Sequence, residues 1–121
     1  MTASISALRC VAVPVTDQDR AASVFLDLGF TVRFDEELRP GFRWLELAAA
    51  DGGAVLALVL AGDDLPAGID TGIRLATPDA ASLRTHLQES GLSVGELLAW
   101  PGVPLMFSFV DADGNRFYVS E

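Results

Sequence analysis

The amino-acid sequence predicts an α+β fold in which two βαβββ modules form a curled, cup-shaped mixed sheet with the helices on its outer face. Three observations support this class: an internal repeat, a short helix pattern in each copy, and three short apolar strands after each helix. Residues 11–32 align with residues 73–94 under a shift of 62 residues, which places Phe25 on Leu87 and Gly29 on Gly91. A repeat of this kind indicates that each copy is one structural unit.

Module one begins with a strand, because apolar residues alternate with smaller or polar ones over residues 10–15. A helix follows, with Asp17 or Thr16 as its N-cap and Gly29 as its end. Three further strands are predicted at Thr31–Phe34, Phe42–Leu47 and Ala54–Leu60, with Asp51-Gly52-Gly53 as a hairpin turn.

Module two repeats this order with clearer boundaries. Thr77 is expected to cap its helix, Pro78 to occupy the first helical position, and Gly91 to end it. Its later strands are predicted at Ser93–Leu98, Leu105–Val110 and Asn115–Ser120. We expect one domain over residues 1–121, with module one at about 6–61, a linker at 62–70 and module two at about 71–121.

The charge of the chain excludes some classes of partner. It has 17 acidic and 8 basic residues, a formal net charge of −9, and no lysine. Nucleic acids and anionic membranes are disfavoured as partners, because proteins bind both by neutralising phosphates with Lys or Arg. The acidic balance could attract a cationic ligand or could serve only solubility, and both interpretations stay open.

Other features indicate a soluble cytoplasmic protein. The longest apolar run, Ala54–Ala61, is too short to span a bilayer. The first residues do not have the pattern of a secretory signal. The single cysteine, Cys10, cannot form an intrachain disulfide or a site built from several cysteines, and we expect it to be a small buried apolar residue.

Strand alternation divides the strand residues between two faces. The face expected to pack on the helices is uniformly apolar: Val11, Val13, Leu45, Leu47, Ile73, Leu75, Phe107, Phe109, Phe117 and Val119. The opposite face mixes aromatic, charged and small side chains: Cys10, Ala12, Phe42, Trp44, Glu46, Leu56, Leu58, Gly72, Arg74, Met106, Ser108, Arg116 and Tyr118. This mixture is typical of a cup that binds an organic ligand. A partly solvated sheet face or a dimer contact would give the same pattern.

Several segments resemble a known superfamily. They are the paired βαβββ modules, residues 13–21 (VPVTDQDRA), residues 28–30 (LGF) after the first helix, and residues 111–115 (DADGN) near the C-terminus. Together they look like the vicinal oxygen chelate fold, which includes glyoxalases, extradiol dioxygenases, bleomycin-resistance proteins and fosfomycin-resistance enzymes. The resemblance covers essentially the whole chain.

The resemblance also implies where a metal ion would bind. Enzymes of this group hold it with His, Gln or Glu at four strand positions, which fall here on Cys10, on Thr71 or Gly72, on Leu56 and on Tyr118. Apart from the lone thiol, none of these side chains is a standard ligand of a catalytic divalent ion. We therefore expect no metal and no cofactor, and a metal-dependent glyoxalase or dioxygenase is the least favoured alternative.

The metal-free branch of the resembled group contains the bleomycin-resistance proteins, which are homodimers that sequester a drug. The resemblance implies a metal-independent protein that binds a small aromatic or cationic natural product. Trp44 and Trp100 could stack on a planar ligand, or could serve only packing. The expected ligand-binding residues are Phe42, Trp44, Glu46, Leu56, Arg74, Trp100, Met106, Ser108, Arg116 and Tyr118.

Two other functions stay open. A metal-free isomerase or lyase could use Glu46 as a general base beside Arg74 and Arg116, although a structural ion pair is the commoner outcome of such a grouping. A degenerate module that serves only dimerisation is the third hypothesis. Whether the chain is an enzyme is left undecided by these residues.

Overall fold

The computed structural model describes residues 3–121, and the elements alternate as the sequence predicts. Their bounds are β1 Cys10–Val15, α1 Gln18–Asp27, β2 Thr31–Arg39, β3 Phe42–Ala48, β4 Val55–Leu60, β5 Asp70–Ala76, α2 Ala80–Glu89, β6 Ser93–Val94, β7 Met106–Val110 and β8 Arg116–Ser120. The predicted α+β class and the two βαβββ modules are confirmed.

The chain divides into two compact units, of which unit one ends at Leu65 and unit two is Pro66–Glu121. Each unit contains one four-stranded mixed sheet, with strand order β1-β4-β3-β2 in unit one and β5-β8-β7-β6 in unit two. The first pair in each order is parallel and the other pairs are antiparallel. Neither α1 nor α2 is long and apolar enough to cross a membrane.

The core of unit one lies between α1 and the sheet. Phe25 of α1 and Leu45, Leu47 and Leu58 of the sheet are almost fully buried. The amide of Gln18, at the start of α1, donates to the carbonyl oxygens of Arg43 (3.0 Å) and Leu58 (2.8 Å). These two bonds fasten the beginning of the helix to β3 and β4.

The core of unit two is aromatic. Phe109 and Phe117 are fully buried, and their ring centroids lie 5.2 Å apart in a stacked arrangement. Leu87 of α2 is also buried. The buried Asn115 accepts N–H bonds from Gly68 (2.9 Å) and Ile69 (3.1 Å), which connects the β7–β8 turn to the segment before β5.

Both helices begin at an aspartate. Asp17 caps α1 by accepting the N–H of Arg20 at 3.0 Å, which selects one of the two residues that the sequence allowed. Asp79 caps α2 by accepting the N–H of Ser82 at 3.0 Å, so the assignment of this role to Thr77 is wrong. Aspartate is as effective at this position as threonine, and the later helix start leaves Pro78 outside the helix.

The last strand of unit one faces the other way from the prediction. Register pairs Leu56 with Val11 and Leu47, and it pairs Leu58 with Val13. Because directly paired residues share a face of the sheet, Leu56 and Leu58 lie on the helix side. Their assignment to the opposite face is therefore wrong.

One additional residue in a turn explains this reversal. Eight residues separate Leu47 from Leu56, whereas seven separate Phe109 from Phe117. Gly52 and Gly53 both have positive φ (80° and 86°), a conformation that favours glycine and that accommodates the longer turn. Since residues 55–58 are all buried, their composition carries no alternation from which the phase could be inferred.

Candidate ligand-binding site

A cavity of about 450 Å³ lies in unit two. Its lining combines apolar, hydroxyl and charged side chains: Arg74, Glu96, Leu98, Met106, Phe107, Ser108, Tyr118, Val119 and Ser120. Most of these residues belong to the sheet face that points away from α2. We call the part of that face formed by Asp70, Arg74, Met106, Ser108, Arg116 and Tyr118 the polar face of unit two.

The centre of the polar face is a row of three side chains on adjacent strands. Register pairs Tyr118 of β8 with Arg74 of β5 on one side and with Ser108 of β7 on the other. The guanidinium carbon of Arg74 lies 3.8 Å from the centroid of the Tyr118 ring, within the range of a cation–π contact. Ser108 Oγ accepts a hydrogen bond from Arg116 Nη1 at 2.9 Å.

Tyr118 is held at its other end by Asp70. The phenol donates to Asp70 Oδ2 at 2.5 Å, and the N–H of Gly72 donates to Asp70 Oδ1 at 3.1 Å. The hydrogen bond from Tyr118 is the main cause that lowers the pKa of Asp70, with smaller contributions from Gly72 and the two arginines. The same bond is the main cause that raises the pKa of Tyr118. The pair therefore stays a phenol and a carboxylate near neutral pH.

The segment after β6 forms another wall of the cavity. Leu98 and Met106 exchange backbone hydrogen bonds of 2.8 Å and 3.2 Å, and Glu96 lies two residues before Leu98. Gly95 permits this segment to approach β7 closely. Its amide nitrogen lies 2.6 Å from the carbonyl oxygen of Ser108, and a Cβ at this position would lie only 2.8 Å from Ser108 Oγ. A continuous strand was predicted over residues 93–98, but β6 ends at Val94.

Sequence reasoning missed six residues of this site: Asp70, Glu96, Leu98, Phe107, Val119 and Ser120. Asp70 was assigned to the linker, although it begins β5, and Phe107 and Val119 were assigned only to the helix side. Gly95 was the available signal for Glu96 and Leu98, because glycine within a predicted strand marks an irregularity or a close backbone approach.

Unit one carries the remaining predicted site residues. Phe42, Trp44 and Glu46 alternate along β3, and register places Glu46 beside Ala57 of β4. The indole N–H of Trp44 donates to Glu46 Oε2 at 2.7 Å. The Phe42 and Trp44 rings lie 6.2 Å apart. On the other side of β3, register pairs Glu36 with Trp44 and Arg39 with Phe42, and the Arg39 guanidinium carbon lies 4.3 Å from the Phe42 ring centroid. This face therefore combines aromatic rings with an oriented carboxylate and an arginine.

Trp100 lies in a turn of unit two and is 57% exposed. Its carbonyl oxygen accepts the N–H of Val103 at 3.1 Å, and its side chain does not line the 450 Å³ cavity. The aromatic surface of the cavity comes from Tyr118 instead.

The strand positions that hold metal in related enzymes do not fit a divalent ion here. The corrected register of β4 moves the fourth position from Leu56 to Ala57, which carries no ligating atom. The other positions are Cys10, Thr71 or Gly72, and Tyr118; the Thr71 hydroxyl donates to the carbonyl oxygen of Arg116, and Tyr118 is hydrogen-bonded to Asp70. Within residues 3–121, no three His, Cys, Asp or Glu side chains group so that they could hold a metal ion.

The chain consists of two βαβββ units, each with a helix on one face of a mixed sheet. It is therefore a protein of the paired βαβββ-module class. A family model described as the Glyoxalase/Bleomycin resistance protein/Dioxygenase superfamily matches residues 7–119. The chain belongs to this superfamily.

Solved structures of similar proteins cover nearly the whole chain. TnmS3, an antibiotic binding protein from Streptomyces sp. CB03234, is 30% identical over 98% of each chain, with a TM-score of 0.83. A superfamily member from Sphaerobacter thermophilus is 29% identical over 97% of this chain and 98% of its own, with a TM-score of 0.85. A glyoxalase/bleomycin resistance protein from the same Streptomyces strain is 29% identical over 93% and 98%, with a TM-score of 0.78. No curated protein matches the chain.

Proposed function

We propose that this protein binds an aromatic natural product of antibiotic type in the cytoplasm and sequesters it without a metal ion and without chemical change. The observation that carries the proposal is the cavity of about 450 Å³ in unit two, lined by Met106 and Leu98 beside Arg74, Ser108 and Tyr118. Ligand sites of proteins generally have this size and this combination of apolar walls with a few polar groups.

The similarity to an antibiotic binding protein supports the same function. The identity of 30% extends over 98% of both chains, so it includes both units and both sheets. Antibiotic binding is a property of that protein, and its transfer to this chain is part of the proposal.

Metal independence is supported by the residues at the four strand positions. Ala57 and Gly72 have no ligating atom in their side chains, and the hydroxyls of Thr71 and Tyr118 donate hydrogen bonds to the Arg116 carbonyl oxygen and to Asp70. Cys10 supplies only a single thiol. Binding must then depend on packing, hydrogen bonds and charge.

Each predicted contact residue has a part in this proposal, except one. Arg74, Ser108 and Arg116 supply polar anchors, while Met106 and Tyr118 supply apolar and aromatic surface. Phe42, Trp44 and Glu46 form a second candidate contact surface on unit one. Trp100 remains a candidate only for contacts outside the cavity. Leu56 is excluded, because it lies on the helix side of its sheet and is 5% exposed.

Calorimetry on chelator-treated protein tests the proposal. Bleomycin serves as a cationic glycopeptide and tetracycline as an aromatic natural product, and the account predicts saturable binding of the aromatic compound with a Kd of about 1 μM or tighter, in the range common for specific ligands. The bound compound should be recovered unchanged by mass spectrometry. Binding that disappears after chelation and returns with a divalent ion would contradict metal independence, and a modified product would contradict sequestration.

A metal-free isomerase or lyase that uses Glu46 is the second candidate. The observation in its favour is that Trp44 holds the half-buried Glu46 carboxylate in a fixed orientation at 2.7 Å. In that case Glu46→Gln should abolish product formation while ligand binding survives. Turnover that is equal in wild-type protein and Glu46→Gln would remove this candidate.

We propose that the protein is a homodimer. Each sheet has two open edges, β1 and β2 in unit one and β5 and β6 in unit two, and exposed edges tend to be covered. The edge strand β2 also exposes Val32, Phe34 and Leu38. Light scattering should give twice the mass of the chain, and a monomer at high concentration would contradict the dimer.

A further inference from the structure

The arginines of unit two are concentrated on one side of its sheet. The unit contains Arg74, Arg84 and Arg116. Arg84 donates from Nε to the carbonyl oxygen of Gly95 at 2.7 Å, which connects α2 to the segment after β6. Arg74 and Arg116 instead lie on the polar face. In a chain of net charge −9, two of the three cations of this unit therefore stand on the face that carries the cavity.

Two acids, Asp70 and Glu96, balance the formal charge of these cations, but neither forms an ion pair with them in the described part of the chain. Asp70 is committed to the Tyr118 phenol at 2.5 Å and to the N–H of Gly72 at 3.1 Å. Arg74 and Arg116 form no ion pair within the described part of the chain, residues 3–121. The other acid at the cavity is Glu96, which follows β6, the strand at the opposite end of the sheet order from β5.

We propose that the cavity of unit two selects a flat aromatic ligand that bears an acidic oxygen, a carboxylate or a phenolate, and that this oxygen pairs with Arg74. The proposal rests on the proposed function and names the ligand class of the same site. The Arg74 guanidinium lies on the Tyr118 ring at 3.8 Å, so the ring holds it while its N–H edge stays available to an acceptor in its plane. Charge-assisted bonds of guanidinium to carboxylate are among the stronger polar contacts in proteins.

The aromatic part of the ligand follows from the other walls. Met106 and Leu98 offer apolar surface, and a thioether packs favourably against an aromatic ring. Ser108 Oγ, which already accepts a bond from Arg116, keeps a hydroxyl proton that can be donated to a second ligand oxygen. The acidic composition of the chain suggested a cationic ligand, but Arg74, which lines the cavity without an ion pair to any described residue, offers its N–H groups to an anion.

Three naphthalenes of similar size test the charge preference on the wild-type protein. They are 2-naphthoate, 2-naphthamide and 2-naphthylmethylammonium, titrated at neutral pH and followed by NMR. Naphthoate should bind with a Kd of about 1 mM, as expected for a fragment of this size. We expect the amide to bind more weakly, and the ammonium compound to bind at least about tenfold more weakly than naphthoate. Equal or tighter binding of the ammonium compound would overturn the proposal.

A pair of charge-matched variants locates the effect. Arg74→Gln should weaken naphthoate binding about tenfold and remove the preference over the ammonium compound. Arg33→Gln makes the same change in net charge on the exposed strand β2 of unit one and should leave naphthoate binding within about twofold. Equal effects of the two variants would assign the preference to overall charge and contradict the role of Arg74. The wild-type comparison remains decisive if Arg74→Gln fails to fold.

The two proposals can fail separately. If tetracycline binds chelator-treated protein but naphthoate has no advantage over its ammonium analogue, the sequestering function stands and the acidic-oxygen class is wrong. If neither tetracycline nor bleomycin nor any of the three naphthalenes binds, both proposals are wrong.

Discussion

Both units are apolar on the helix side of their sheets, and they differ in polar and charged residues on the other side. Leu45 and Leu47 in unit one correspond to Phe107 and Phe109 in unit two, and all four are buried to 2% exposure or less. On the opposite face, unit one presents Phe42 and Trp44 with the Glu46 carboxylate and one arginine, Arg39, over the Phe42 ring, whereas unit two presents two arginines, a tyrosine and an aspartate. Packing against a helix restricts one side to apolar residues. The other side is free to acquire binding chemistry.

The largest predicted effect tests the helix side of unit one. Leu58→Ala should lower the free energy of unfolding by about 2–5 kcal/mol, because Leu58 is fully buried and its removal leaves a cavity beside α1. Urea denaturation followed by circular dichroism measures the change. Leu60→Ala is the matched control on the same strand, and at 48% exposure it should cost about 0.5 kcal/mol. Equal costs would contradict the burial of Leu58 between the sheet and α1.

A smaller effect is expected at the aspartate N-cap, which both helices share. Asp17→Ala should cost about 1 kcal/mol of unfolding free energy, because it removes the acceptor of the Arg20 N–H. Asp17→Asn should retain most of the stability, since asparagine caps helices equally well. Both variants can be measured by the same denaturation experiment, and a cost of Asp17→Asn as large as that of Asp17→Ala would argue against capping.

Titration of Tyr118, the only tyrosine of the chain, tests the hydrogen bond that distinguishes the polar face of unit two from the corresponding face of unit one. The pKa of Tyr118 should lie above the ordinary phenol value, and Asp70→Asn should move that pKa back toward it. Ultraviolet absorbance of the phenolate reports the titration without interference from a second tyrosine. Asp64→Asn, a change in the exposed loop before unit two, should leave the pKa unaffected. An unchanged Tyr118 pKa in Asp70→Asn would contradict the hydrogen bond.

The signs of the two pKa shifts also predict a pH range for the pair. The lowered pKa of Asp70 means that its contribution to stability is present above the ordinary carboxyl value of 3.8 and is lost as the pH falls through the lowered pKa. The raised pKa of Tyr118 means that its contribution is present below the ordinary phenol value of 10.0 and is lost as the pH rises through the raised pKa. Between these limits the polar face of unit two should keep one charge state.

The smallest effect is expected at Trp100. Because Trp100 is 57% exposed and does not line the cavity, Trp100→Ala should change the Kd of 2-naphthoate by less than about twofold. NMR titration measures this value under the same conditions as for the wild type. A loss comparable to that of Arg74→Gln would indicate that Trp100 contacts the ligand after all.

Much of the fold could be predicted from the sequence because the repeat and the turn residues act locally. The apolar alternation of residues 107–109 and 117–119 correctly gave the faces of β7 and β8. The same reasoning failed at β4, where both faces are buried and one additional residue beside Gly52 and Gly53 reverses the phase. In such a strand, pairing with the neighbouring strands determines which side chains face the helix, and the composition of the strand itself does not reveal it.

The candidate site was only partly predictable for a related reason. Strand alternation indicated Arg74, Ser108 and Tyr118, and register brings these three into one row. Asp70 and Glu96 belong to irregular backbone at the ends of strands, and their contacts depend on long-range pairing that no local pattern encodes. Strand alternation therefore predicted that Arg74, Ser108 and Tyr118 share a face, whereas the positions of Asp70 and Glu96 beside them were not predicted.

An NMR map of 2-naphthoate binding on isotopically labelled, chelator-treated protein examines the account most directly. We predict that the largest amide shifts fall on Arg74, Met106, Ser108 and Tyr118 of the polar face of unit two. Shifts confined to the Phe42–Ala48 strand of unit one, or shifts that require an added divalent ion, would mean that the ligand surface has been assigned to the wrong unit or to the wrong chemistry.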